Sequence, residues 1–370
     1  MNKIRVLMVL GNTAMGGAQA FVLNLVNNLD LNRFHVDLAV DEIKPNGISE
    51  VMQSKGCYIF VLPYFKVYNY FSYKKAWNSF FKQNHYDIIH AHSTNSASVY
   101  LKIAKKYGCK TIAHSHSAGY RGNSIQCLVK KYFAKKVRNV ADYWFACSDK
   151  AAERLYGSDY LSYPHFYSIP NAINAELYLY DNEKANSIRK TLGVEQNTFL
   201  CGHVGTFSVP KNHFFLIDIF YEVLKIKPEA KLVCCGVGNL MPAVKEKAKT
   251  LGILNSIIFP GVVTNCNEYL MAMDVFIFPS LFEGFPISVI EAEATGVQVL
   301  MSDVITKEVD LTSVIHRMSL NDKATEWAKT ICSLKSEERE KYNKVIMESK
   351  YNMRISIKQI SALYEEMTNL

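Results

Sequence analysis

Apolar residues along the chain gather in short runs separated by longer mixed segments. Runs at Ile4–Leu10, Val36–Val40, Tyr58–Leu62, Asp87–Ala91, Thr111–Ala113 and Trp144–Ala146 predict buried strands. The segments between them are long enough for helices, and such alternation predicts a parallel sheet covered on both faces. A second series starts at Phe199–Val204 and runs through Lys231–Cys235, Ile257–Phe259, Val275–Phe278 and Val299–Met301. Helical stretches at His213–Ile226, Met241–Leu251 and Ile287–Thr295 punctuate it. The two series part near Ile169-Pro170-Asn171, which predicts two Rossmann-like α/β domains, 1–170 and 171–352, with a cleft between them. Ligands in such sheets bind beyond the carboxyl ends of the strands. From about residue 337 the pattern is helical without strands.

Composition fits that picture. A chain of 370 residues is long for one core, and 49% hydrophobic with 21% charged residues marks a folded protein. The run after Lys3 and Arg5 ends at Gly11-Asn12 after about seven residues, too short for a secretory core, and reads as a first strand. Nine scattered cysteines without paired spacing predict reduced thiols and a cytoplasmic setting.

The net charge of +8 is concentrated. Lys102, Lys105, Lys106, Lys110, Arg121, Lys130, Lys131, Lys135, Lys136 and Arg138 fall in a stretch with no acid. Just upstream, Lys66, Lys74, Lys75 and Lys82 lie among ten aromatics that include Phe71, Trp77, Phe80 and Phe81. Lysines interleaved with aromatics suit an anionic membrane surface, while core aromatics backed by solvated lysines are the plain alternative. No nucleic-acid signature accompanies the patch.

Candidate chemistry sits at the predicted strand ends. Gly16-Gly17 opens the first helix and lets a phosphate approach the backbone, although tight turns also use glycine structurally. The G-x-G-x-x-G dinucleotide fingerprint is absent, which argues against NAD. His90 with His92, and His114 with His116, end two strands, each pair on one face. Zinc is conceivable there, yet satisfied polar strand ends are the default, and His116, last before Ser117-Ala118-Gly119, is best placed to meet a substrate hydroxyl. Lys211 begins a helix after the first strand of the second series and can stand beside a diphosphate. Gly236-Val237-Gly238 is another strand-end turn. The richest segment is Glu283-Gly284-Phe285-Pro286-Ile287 through Glu291. Pro286 is expected at the first helical position, with free amides at the helix start and carboxylates on either side. Such a site suits a ligand bearing both phosphates and hydroxyls, a sugar nucleotide.

In order, Gly16-Gly17, His116, Ile169-Pro170-Asn171, Lys211-Asn212, Gly236–Gly238 and the E-x7-E segment Glu283–Glu291 resemble a retaining glycosyltransferase of family 4, over nearly the whole chain. The resemblance implies a GT-B fold, with the tail helix 353–370 packing back on the first domain. It implies that Glu291 holds the ribose, and that Glu283 with Gly284, Phe285, Pro286 and Ile287 holds the donor sugar. Lys211 would meet the diphosphate, Gly16 and Gly17 would close over it, His116 would face the sugar, and Val263 would rim the base. No metal or cofactor is implied. One position departs: the family pattern G-R-F is here Gly205-Thr206-Phe207, and losing a cation beside a leaving group costs on the order of 10²–10³ in rate. The expected activity is transfer from a nucleotide-sugar, UDP-linked in preference to GDP-linked. The expected acceptor is a lipid-linked glycan of capsule or exopolysaccharide synthesis, at the inner face of the cell membrane. The alternatives are a catalytically silent sugar-nucleotide-binding partner subunit and a UDP-sugar epimerase.

Overall fold

The computed structural model describes residues 3–116, 131–335 and 338–369. The chain divides into two compact units, Met1–Ala172 with Met353–Leu370, and Ile173–Asn352.

The first unit is built on a parallel sheet in the order β3-β2-β1-β4-β5-β6-β7. Its strands are β1 (Ile4–Asn12), β2 (Phe34–Glu42), β3 (Ile59–Val61), β4 (Ile88–Ala91), β5 (Lys110–Ser115), β6 (Tyr143–Ala146) and β7 (Phe166–Ser168). Val6, Met8 and Leu10 of β1 face one layer of the core, while Leu7 and Val9 face the other. Burial on both sides is why these strands read as unbroken apolar runs. The tail helix Met353–Thr368 contributes Ile360, Leu363, Tyr364 and Met367 to the first of those layers.

The second unit carries a parallel sheet in the order β10-β9-β8-β11-β12-β13. Its strands are β8 (Leu200–Val204), β9 (Lys231–Cys235), β10 (Ile257–Gly261), β11 (Val275–Phe278), β12 (Gln298–Ser302) and β13 (Ile315–Met318). Helices His213–Ile226, Met241–Thr250, Cys266–Ala272 and Ile287–Thr295 connect them. In each sheet the direction in which successive strands are added reverses at one point, between β1 and β4 and between β8 and β11.

Two strands were not expected from the sequence. Both β7 and β13 are sheet edges, only half-buried, and carry Tyr167, His316 and Arg317, so no continuous apolar run betrays them. The aromatic stretch also resolves into two populations. Tyr73, Trp77, Phe80, Phe81 and Tyr86 are core, whereas Tyr64, Tyr68 and Phe71 are exposed. This removes Trp77, Phe80 and Phe81 from the expected membrane face, because the helix Tyr70–Gln83 turns them inward onto the sheet. Arg121, Lys130 and the loop Ser117–Gly119 lie outside the described residues.

Candidate active site

The loops after β8 and β11 meet at the switch point of the second sheet, where parallel α/β folds place ligands. Leu281 donates its amide to the Pro210 carbonyl at 2.8 Å, and Asn212 Nδ2 donates to the Pro279 carbonyl at 3.0 Å. These bonds hold Lys211 against Glu283, Nζ to Oε1 2.8 Å, with the ammonium also 4.5 Å over the Phe278 ring. Gly205 makes room for this, since a Cβ there would lie 3.2 Å from the Lys211 stem.

The neighbouring turn packs equally close. Gly236 has φ +129, and a Cβ on it would meet the Gly205 carbonyl oxygen at 2.2 Å. A Cβ on Gly238 would meet the Phe207 oxygen at 2.4 Å. Glycine at these positions is a structural requirement, which the sequence alone left open. Gly284 is the opposite case. No atom lies within 4 Å of its would-be Cβ and its φ is not positive, so nothing within the described residues demands glycine there.

Pro286 is not the first helical residue as expected. Its φ of −84° and ψ of 90° are extended, and the helix begins at Ile287. The proline carbonyl accepts from Val289 at 3.0 Å. Among the described residues, the amides of Phe285, Ile287 and Ser288 donate to no carbonyl or side chain, leaving the positive helix end open beside Glu283. One turn further in, Glu291 accepts from the Tyr178 hydroxyl at 2.7 Å. Burial raises its pKa, and the Tyr178 bond opposes the rise. Val263 is half-buried between β10 and the helix Cys266–Ala272, packed on the same core as Phe285.

Thr206 is exposed beside this cluster. The second unit has three arginines, and none replaces the absent cation. Arg189 pairs with Asp274 at 2.8 Å, Arg317 with Asp310 at 2.6 Å, and Arg339 donates to the Met271 carbonyl at 2.8 Å.

In the first unit, Gly16 and Gly17 follow β1 at its switch point. Gly16 caps the helix Gly17–Asn28 in extended geometry. A Cβ there would touch only the movable Gln19 amide, at 2.9 Å, within 3 Å. Neither glycine is forced by backbone strain.

His90, His92, His114 and His116 form a stacked array beneath Phe21. Burial depresses all four pKa values, His116 to about 3 with a further push from Arg154, so the rings are neutral. Their proton positions then follow by elimination. The Ile169 carbonyl can only accept, so His114 Nε2 donates to it at 3.3 Å. His114 Nδ1 therefore accepts from His90 Nε2 at 3.2 Å, and His90 Nδ1 accepts from the Tyr364 hydroxyl at 2.7 Å. The second pair, His92 Nδ1 to His116 Nε2 at 2.8 Å, leaves His92 Nε2 and His116 Nδ1 buried without partners among the described residues.

Nitrogens of His90, His92 and His114 lie within 4.8 Å of one another, a spacing compatible with a metal. Yet His90 stacks on His92 at 26°, so their lone pairs run side by side, and both nitrogens of His90 and His114 serve the hydrogen-bonded chain. The array fits a hydrogen-bonded ladder better than a cage.

Sequence reasoning did not find Tyr178, or His203 and His213, which lie buried beneath the Lys211 loop. It also missed Asp41, at the carboxyl end of β2, whose pKa burial raises to about 7. Each is an isolated polar residue in the sequence, without a spacing that marks it.

The fold is that of the GT-B glycosyltransferases. The crystal structure of Anabaena HepE in complex with UDP is similar at a TM-score of 0.78, with 15% identity, over 99% of this chain and 100% of that one. A Rickettsia africae glycosyltransferase structure is similar at the same score, again with 15% identity, over 99% of each chain.

Both halves of the chain match glycosyltransferase family models. Residues 15–177 match the family described as Glycosyltransferase Family 4, and residues 198–337 match Glycosyl transferases group 1. The putative glycosyltransferase EpsF of Bacillus subtilis is 28% identical, over 88% of this chain and 86% of that protein. An Escherichia coli UDP-Gal:alpha-D-GlcNAc-diphosphoundecaprenol alpha-1,3-galactosyltransferase is 24% identical, over 60% of this chain and 59% of that protein. Among the described residues, no helix is long and apolar enough to cross a membrane.

Proposed function

We propose that this glycosyltransferase moves a sugar from a UDP-sugar to a hydroxyl of a lipid-linked glycan in cell-surface polysaccharide synthesis. The anomeric configuration is retained and no metal takes part. The observation that carries this reading is the Lys211–Glu283 pair at the switch point, beside the open amides of Phe285, Ile287 and Ser288. A diphosphate draws Lys211 and the helix start, and frees Glu283 to accept from sugar hydroxyls. Developing charge on the departing UDP then meets an ammonium and oriented amides. Glu291, steadied by Tyr178, accepts from the ribose, and Val263 borders the base.

On the first unit, Gly16 and Gly17 give a phosphate access to backbone amides. His116, which follows β5, faces the donor sugar in this reading. The UDP in the HepE structure and the lipid-diphosphate acceptor in the galactosyltransferase's name support the choice of substrates. The work is placed at the inner, anionic face of the cell membrane, which the exposed Tyr68 and Phe71 among surface lysines support.

Isothermal titration with UDP, GDP and ADP tests the donor half. UDP is expected to bind most tightly, with Glu291→Ala weakening it roughly tenfold, the loss of a charged hydrogen bond. Equal affinity in wild type and variant would remove Glu291 from the ribose. A second reading, a silent nucleotide-binding partner subunit, draws on Thr206 and the commitment of all three arginines elsewhere.

A further inference from the structure

We propose that a lysine-lined groove on the first unit is a binding site for the phosphate headgroups of membrane lipids. The groove lies between the helices Tyr70–Gln83 and Ala97–Lys106 and the segment 133–140, and encloses about 560 Å³. Its apolar lining comes from Val99, Ile103, Phe133 and Val140, while Lys74, Lys102, Lys106 and Lys136 supply charge. Lys105 is neutralised by Asp142 at 2.6 Å. The other four have no carboxylate within ion-pair distance among the described residues, and no acid lines the groove.

A second observation points to a ligand. Ser98 is 7% exposed, lines the groove, and its buried Oγ has no partner among the described residues. A buried hydroxyl left unpaired costs free energy that an incoming oxygen acceptor recovers. Ammonium groups without counter-charge around such a hydroxyl form an anion receptor. The apolar lining and neighbouring exposed aromatics distinguish a lipid from a free anion. Phe71 is 82% exposed and Tyr132 58%, each next in sequence to a lining residue, Tyr70 or Phe133. Aromatics so placed seat in the headgroup layer while lysines meet phosphates.

This inference rests on the reading that the acceptor is membrane-borne. Co-sedimentation with vesicles of phosphatidylcholine, with and without phosphatidylglycerol, at low salt separates the two claims. Wild type is expected to bind the anionic vesicles. The triple variant Lys74→Ala, Lys102→Ala, Lys106→Ala is expected to lose about a hundredfold in partition. Ser98→Ala should also weaken binding. Lys75→Ala, Lys82→Ala, Lys110→Ala removes the same charge outside the groove and should retain most of the binding, with circular dichroism confirming that both triples are folded.

Equal loss in the two triples would overturn the groove and leave the membrane reading standing. No binding by wild type would overturn both. If calorimetry shows inorganic phosphate in the groove while wild type and groove variant sediment alike, the site serves a soluble anion and the lipid assignment is wrong.

Discussion

In the proposed reaction, turnover hinges on Thr206. A bound diphosphate would find Lys211, itself paired with Glu283, and the helix-start amides. The three arginines of the unit are held by Asp274, Asp310 and the Met271 carbonyl. Threonine offers a hydroxyl where a guanidinium would offer two parallel charged bonds. Thr206→Arg is therefore expected to raise the rate of UDP-sugar turnover by about a hundredfold and to tighten UDP binding. Rate and affinity left unchanged would show that the diphosphate does not pass this position. At this scale the sequence was informative for residues in a spaced motif. Glu283, Glu291 and Lys211 were legible because strand-end loops and a helix start follow from local pattern. Tyr178 was not, since it lies 113 positions from Glu291 and only the tertiary fold brings them together.

At the scale of elements, the helix Ile287–Thr295 carries another carboxylate that the E-x7-E pattern hides. Glu293 is fully buried, and its Oε1 accepts from the Leu311 amide at 3.2 Å, the Thr312 amide at 2.9 Å and the Thr312 hydroxyl at 2.9 Å. Its Oε2 has no partner among the described residues, and burial outweighs those donors, raising the pKa to about 8. The unfolded residue ionises near 4.5, so between that pH and about 8 the folded unit keeps a proton that the unfolded chain releases. The stabilising contribution is present below about 4.5 and is lost as pH rises through about 8. Glu293→Gln removes this titration and should raise the unfolding midpoint at pH 8 by roughly 5 °C, with the gap closing toward pH 4.5. Thermal scans across that range decide it, and a gap independent of pH would refute the assignment. The helix was legible from its apolar period and the proline before it. Its burial on nearly every side was not, because nothing in the local pattern marks Glu293 as a buried acid. The edge strands β7 and β13 escaped for the converse reason: half-burial leaves too few apolar positions to stand out.

At the scale of the whole chain, the first unit is not continuous. The chain leaves it at Ala172, builds the second unit, and returns at Met353. An amphipathic pattern shows that the tail is helical but does not say which core receives it. The answer lies in Ile360, Leu363, Tyr364 and Met367, which share a core layer with Ile4, Val6 and Met8. Tyr364 also closes the chain through His90 and His114 to the Ile169 carbonyl. Tyr364→Ala therefore removes a buried ring and leaves His90 Nδ1 unpaired. The ring alone should cost about 3–5 kcal/mol, whereas Tyr364→Phe should cost about 1 kcal/mol for the lost hydroxyl bond. Hydrogen exchange locates the damage. Amides of β1, β4 and β5 should lose protection in Tyr364→Ala, while those of β8, β9 and β11 keep theirs, because no side chain of the tail helix belongs to either core layer of the second sheet. Loss spread evenly over both sheets would mean that the tail supports the chain as a whole and not the first unit.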